Sequence, residues 1–256
     1  GYTDGVLPGQ TGAGDRDSFF GKHDAAGNQL WTRQFGATGS DALTGIATDP
    51  TGIYVAGNTT AAFPGQTALG DFDAVVHKYD PSGNHLWTRQ FGTTGDDRAI
   101  GIAAQAGGNY VCGFTGGALP GQASAGSGDA FLRKYDGEGR EVWTRQFGSS
   151  AFDGAWAVSS DATGVYVAGS TDGAFPGQTS WGGTDAFACK YDFDGNLRWT
   201  RQIGTASWDR CDNGAISAGA SGVYVAGTTD GSFPGYSHAG EADVFMLPLA
   251  GNPVEI

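Results

Sequence analysis

The sequence predicts an all-β fold built from repeated four-stranded units, and three observations predict it. The string WTRQ begins at Trp31, Trp87, Trp143 and Trp199, each 56 residues after the last. A Leu/Phe-Pro-Gly triplet recurs in step with it, at Leu7, Phe63, Leu119, Phe175 and Phe233. Glycine occupies 46 positions, far above the usual share of about 7%. Each interior glycine costs a helix about 1 kcal/mol, and no stretch carries helical periodicity beyond one turn. The four lysines, Lys22, Lys78, Lys134 and Lys190, all fall at one repeat position. Such self-similarity at a fixed period marks a repeat architecture.

Within the second unit the strands follow from alternation and turn chemistry. Strand A spans Ala42–Asp49, with small residues flanking Ile46. Strand B spans Ile53–Asn58, where Tyr54 and Val55 lead into Ala-Gly. Strand C covers Asp73–Asp80 and strand D His85–Gly92. The link Asp80-Pro-Ser-Gly-Asn84 reads as a hairpin turn, with Asp bonding its own turn and Gly taking positive φ. Asp24-Ala-Ala-Gly-Asn28, Asp136-Gly-Glu-Gly139 and Asp192-Phe-Asp-Gly-Asn196 are its counterparts.

Four antiparallel strands per repeat of about 50 residues describe the blade of a small β-propeller with five sequence repeats. The Gly/Ala-rich strand A suits the crowded axis, and the Trp-bearing strand D suits the rim. The chain reads as one domain, 1–256, in permuted units 1–56, 57–112, 113–168, 169–226 and a partial 227–256. Gly1 aligns with Gly57, Gly113, Gly169 and Gly227, so the first blade is expected to lack strand A and most of strand B. The last unit lacks the lysine and WTRQ, which reduces its outer strand to about Val254–Ile256. A neighbouring chain is expected to fill the open first blade in trans, or the native protein extends beyond Gly1.

The pattern YVAG-x-T, PGQ and DAF-x-x-KYD-x-x-GN-x-LWTRQFG resembles the SBBP-type β-propeller repeats of bacterial and archaeal surface proteins. The resemblance covers nearly the whole chain. It implies a secreted or cell-surface interaction module and implies no catalytic residues.

Composition narrows the function. An apolar share of 39% excludes a disordered chain, and the net charge of −13 repels nucleic-acid phosphates and anionic lipid. No apolar run approaches the roughly 18 residues of a membrane span. The chain opens on glycine rather than methionine, so a processed or excised form is expected. Cys112, Cys189 and Cys211 are too few for a disulfide scaffold and allow at most one bridge. The four histidines show no metal-ligand spacing, and there is no G-x-S-x-G elbow or P-loop.

Repeated residues supply one set of candidates. The tryptophans and Phe35, Phe91 and Phe147 are expected to pack blade on blade. Arg33, Arg89, Arg145 and Arg201 are expected to pair with a neighbouring carboxylate or stack on a ring. Asp41, Asp97, Asp153 and Asp209 open strand A, and Asp17, Asp73, Asp129, Asp185 and Asp243 open strand C, on the same end of the blades. Their carboxylates accept loop N–H groups or, with Asp71 beside Asp73, hold calcium through oxygen ligands. Gln66, Gln122 and Gln178, with Gln10, follow Pro-Gly and either brace the loop or form repeated sugar sites.

Departures from the repeat supply the other set. Trp156 stands where Thr44 and Ile100 do, and Trp181 where Ala13, Leu69 and Ala125 do. Phe152 and Trp208 stand where Ser40 and Asp96 do, and Arg210, Cys211 and Asp212 follow in the one longer unit. These side chains map to one loop face and suit a sugar or a partner chain. The expected function is a non-catalytic secreted or cell-surface scaffold that assembles with its own copies or binds another surface protein. A lectin with loop-face sugar sites is the first alternative, and a glycan-active enzyme the weaker one.

Overall fold

The computed structural model describes residues 1–105, 108–211, 216–220 and 222–249. Every regular element among them is a strand, arranged as five antiparallel sheets, none of which closes on itself. The first sheet holds β1 (Tyr2–Thr3), β2 (Asp17–His23) and β3 (Gln29–Phe35). The second holds β4 (Asp41–Asp49), β5 (Gly52–Thr59), β6 (Asp73–Tyr79) and β7 (His85–Phe91), hydrogen-bonded in that order. The same meander recurs as β8 (Asp97–Gln105), β9 (Gly108–Thr115), β10 (Asp129–Tyr135) and β11 (Glu141–Phe147). It recurs again as β12 (Asp153–Asp161), β13 (Gly164–Thr171), β14 (Asp185–Tyr191) and β15 (Leu197–Ile203). In the fifth sheet, the described parts of strand A are β16 (Asp209–Arg210) and β17 (Ile216–Gly219), followed by β18 (Gly222–Thr229) and β19 (Asp243–Pro248). The outer strand expected at Val254–Ile256 lies outside the described residues.

The blades pack in chain order, β4 beside β8, β8 beside β12 and β12 beside β17. These inner strands line a common cavity of about 780 Å³, walled by Thr44, Ile46, Ile100, Ile102, Trp156, Val158 and Ile216. Strand A is therefore innermost, as its small residues require. The core lies between blades. One face of the second blade (Tyr54, Ala56, Ala74, Val76) meets Val111, Phe131 and Tyr135 of the third. The third and fourth blades meet through Tyr110, Leu132, Val167 and Phe187, and the fourth and fifth through Tyr166, Ala188, Val225 and Phe245.

The repeated polar residues tie the blades at the rim. Nε of Arg33, Arg89 and Arg145 donates to the carbonyls of Gly83, Gly139 and Gly195 in the next blade's hairpin, at 2.6–2.7 Å. Each guanidinium also lies 5.0–5.5 Å from the ring of its own Trp31, Trp87 or Trp143. The expected carboxylate partner is thus replaced by a carbonyl, because the facing hairpin presents backbone there. Lys22, Lys78 and Lys134 reach the same hairpins, through the carbonyls of Pro81, Gly137 and Phe193. Glycine is required at the hairpin for two reasons. Gly139 has φ +75, and a Cβ there would lie 2.8 Å from the Trp87 ring. The tryptophans accordingly pack against the following blade.

Cys112, Cys189 and Cys211 are buried. Burial raises Cys112 and Cys189 to about 12, so they behave as small apolar residues.

Candidate functional site

The loop face is built on a polar lattice that repeats with the blades. Gln90, from WTRQ, accepts the Phe63 N–H on Oε1 and donates through Nε2 to the Ala61 carbonyl and Asp73 Oδ2. Its own N–H donates to Gln66 Oε1 at 2.9 Å. Gln66 Nε2 donates in turn to the Gly65 carbonyl, and Gln122 and Gln178 repeat both contacts with Gln146 and Gln202. One end of each amide is thus held by its own loop and the other by the outer strand of the same blade. The role of Gln34, Gln90, Gln146 and Gln202 escaped the sequence reading, although their place in WTRQ was the available signal.

The two aspartate rings come together. A Cβ on Gly36 would lie 2.2 Å from Asp17 Oδ1 and 2.8 Å from Asp41 Oδ2, so that glycine sits between the carboxylates. Asp73 accepts the Leu69 N–H, Asp129 those of Ala125 and Gly126, and Asp185 that of Trp181. Asp41, Asp97, Asp153 and Asp209 accept from Ala37, Thr93, Ser149 and Thr205. Asp71 lies exposed beside the ring. Among the described residues, no three His, Cys, Asp or Glu side chains gather into a set able to hold a metal ion.

Burial, reinforced by the Asp17 charge, raises the Asp41 carboxyl to about 6 against hydrogen bonds from Thr59 and Ala37 that lower it. A folded-state value above the unfolded one means the folded protein takes up this proton first. The contribution to stability therefore grows as pH falls from about 6 toward 4 and is lost as pH rises. Asp41→Asn keeps an acceptor without the charge. It is expected to raise stability at pH 7.5 by about 1–2 kcal/mol and to flatten the slope between pH 4 and 6. Melting both proteins at pH 4.5 and 7.5 checks this; an unchanged slope in the variant would refute it.

Non-repeated side chains build the distinctive part of the face. Strand A carries a bulge at the same place in each complete blade, between Leu43 and Gly45, Ala99 and Gly101, and Ala155 and Ala157. The bulged residues are Thr44, Ile100 and Trp156. An unpaired bulge residue is free to turn its side chain out of the ladder, which is why this position varies. The Trp156 ring lies over Gly154, where a Cβ would approach to 2.4 Å, and its Nε1–H donates to Ser170 Oγ at 3.2 Å.

Phe152, Trp156, Ser170, Asp172, Thr184 and Arg210 line a cavity of about 270 Å³ at the junction of the fourth and fifth blades. Phe152 and Trp156 lie with ring centroids 6.3 Å apart. Thr184 Oγ1 donates to Asp172 Oδ1 at 2.6 Å. The Arg210 guanidinium stands 4.3 Å from the Trp208 ring, and Trp208 borders a second hollow with Gly183 and Asp230. Trp181 projects into solvent and lines neither. Three of the residues singled out by their departure from the repeat, Phe152, Trp156 and Arg210, are thus gathered in one place with Trp208 alongside. Asp212 lies outside the described residues.

Over 208 residues, 72% of this chain, the sequence is 27% identical to the regulatory protein FlaEY of Caulobacter vibrioides. The chain spans 22% of that relative's length. Residues 30–64 match the family model of the SBBP β-propeller repeat, and this stretch, from β3 into the loop after β5, is a β-propeller repeat of that family.

Proposed function

We propose that this protein is a non-catalytic scaffold of secreted or cell-surface type that extends by blade-on-blade packing between copies. One observation carries the reading. In the third blade, Ala130 and Leu132 are 0% exposed beneath the fourth. Their counterparts in the fifth blade, Val244 and Met246, are 81% and 69% exposed. Among the described residues, nothing covers the face that every earlier blade buries against its successor. Its natural complement is the opposite face of another blade, of the kind that Val223, Val225 and Phe245 present to the fourth blade. The occupant proposed is a second copy of this chain.

The acidic surface and the resemblance to surface-protein repeats support the location, and the same resemblance supports a role without catalysis. Burying a Val and a Met contributes about 1.5–3 kcal/mol each, enough to matter between copies. Light scattering is expected to show a concentration-dependent rise in mass that Met246→Lys abolishes. A protein that stays monomeric up to about millimolar concentration would refute self-assembly.

A further inference from the structure

The junctions between successive blades share one layout on the loop face, and the chain fills the first three by different means. Between the first and second blades, Arg16 lies 4.4 Å from the Tyr2 ring and 2.9 Å from Asp4. Between the second and third, Arg98 lies 4.2 Å from the Phe72 ring and 2.9 Å from Asp96. Between the third and fourth, Phe114 packs on Phe152 and Trp156, at 5.3 and 5.9 Å between centroids. An aromatic or stacked arginine plugs each one.

Among the described residues, the fourth junction has neither an aromatic ring nor an arginine at the positions that Tyr2, Arg16, Phe72 and Phe114 occupy in the others. Ser170 stands at the position of Tyr2 and Phe114, and Thr184 at that of Arg16 and Phe72. Arg210, the counterpart of Arg98, has moved onto the Trp208 ring, and no carboxylate among the described residues pairs with it. What remains is the 270 Å³ cavity, with aromatic rings on its wall and hydroxyl, carboxylate and guanidinium groups on its rim. Ser170 Oγ is occupied by the Trp156 N–H and the Cys211 N–H, which hold the wall in place.

We infer that this cavity binds the pyranose ring of a neutral sugar. The apolar C–H face of a pyranose matches an aromatic wall, and its vicinal hydroxyls match an acceptor (Asp172) and a donor (Arg210) on the same lining. The volume lies just below the span of about 300–1,000 Å³ usual for drug-sized ligands, which suits a single ring. One carboxylate and one guanidinium leave the rim without net charge. A molecule of net charge −13 also disfavours acidic sugars at a distance. Its lining departs from the repeat, so it differs in kind from a ring of identical sites on the Gln residues.

The test is saturation-transfer NMR and calorimetry with a panel of neutral methyl pyranosides, including N-acetylated ones, at about 10 mM, where a site of about 1 mM affinity is largely filled. At least one is expected to bind. Ser170→Phe puts an aromatic back where the third junction has Phe114 and is expected to weaken binding at least tenfold, at some cost in stability because the Trp156 and Cys211 N–H groups lose their acceptor. Thr184→Phe, which copies Phe72, is the second plug should the first fail to fold. Asp172→Ala is expected to weaken binding comparably, and Trp181→Ala to leave it unchanged. Silence across the panel, or a plugged variant that binds like the parent, overturns the inference. Met246→Lys leaves the cavity intact, so sugar binding and self-assembly fail independently.

Discussion

Replacing Phe187 by alanine is expected to lower the free energy of unfolding by about 3–5 kcal/mol, the range for a large buried aromatic. Phe187 is fully buried in β14, at the contact of the third and fourth blades. Its ring packs edge-on to Phe175 at 4.9 Å and to Phe147 at 6.1 Å between centroids. The backbone opposite is Gly169, where a Cβ would come within 2.6 Å of the ring. A glycine has no side chain to swing into the vacated space, so the cavity persists and its cost is added to the lost transfer energy. Because a blade is stabilised by its neighbours rather than by itself, the loss should be cooperative across the interface. Urea unfolding followed by tryptophan fluorescence measures it. A loss below about 1 kcal/mol would show that the interface does not carry the stability assigned to it.

Asp129→Ala is expected to cost about 3 kcal/mol, although it removes a buried charge. Asp129 accepts the Ala125 N–H at 2.9 Å, the Gly126 N–H at 3.1 Å and the Gln146 amide at 2.6 Å. Gln146 also receives the Leu119 N–H and donates to the Gly117 carbonyl. Deleting the carboxylate therefore leaves several donors without an acceptor and loosens a loop well beyond residue 129. Each stranded donor costs about 1–3 kcal/mol; relief of repulsion with Asp153, whose carboxyl is raised by burial and by this neighbour, offsets part of it. Chemical denaturation gives the sum, and hydrogen exchange at residues 117–126 should show the loop opening first. An effect under about 0.5 kcal/mol would mean that the aspartate ring is not structural.

Much of the fold was legible in the sequence because the same local choices repeat. The 56-residue period, the Asp-x-x-Gly hairpins and the Tyr-Val alternation define the strands to within a residue or two of those observed: strand B, read as Ile53–Asn58, is Gly52–Thr59. Turn chemistry and residue alternation are local properties, so a single copy suffices to read them. The partners of the repeated polar residues were not legible. Arg33 bonds a backbone carbonyl 50 residues away, and a carbonyl leaves no trace in composition. The bulge that frees Trp156 was hidden for a similar reason, since nothing in Ala155-Trp156-Ala157 distinguishes a paired residue from an extra one.

The candidate site was half visible. Phe152, Trp156, Trp208 and Arg210 stood out as departures from the repeat, and the structure draws them to one junction. Ser170, Asp172 and Thr184 escaped notice because Ser and Thr are ordinary loop residues, and their meaning lies in what they replace. Trp181 was the opposite case, a conspicuous departure that lines neither hollow.

The sequence alone therefore determined the class of fold, the unit of repetition and the strands within it, because these follow from hydrophobic period and turn residues in each copy. Tertiary structure decided which blade junctions are plugged and which is open, where the guanidinium groups end, and that the last described blade shows an uncovered apolar face. Those outcomes depend on side chains from different repeats meeting across a gap, at distances that no local pattern encodes.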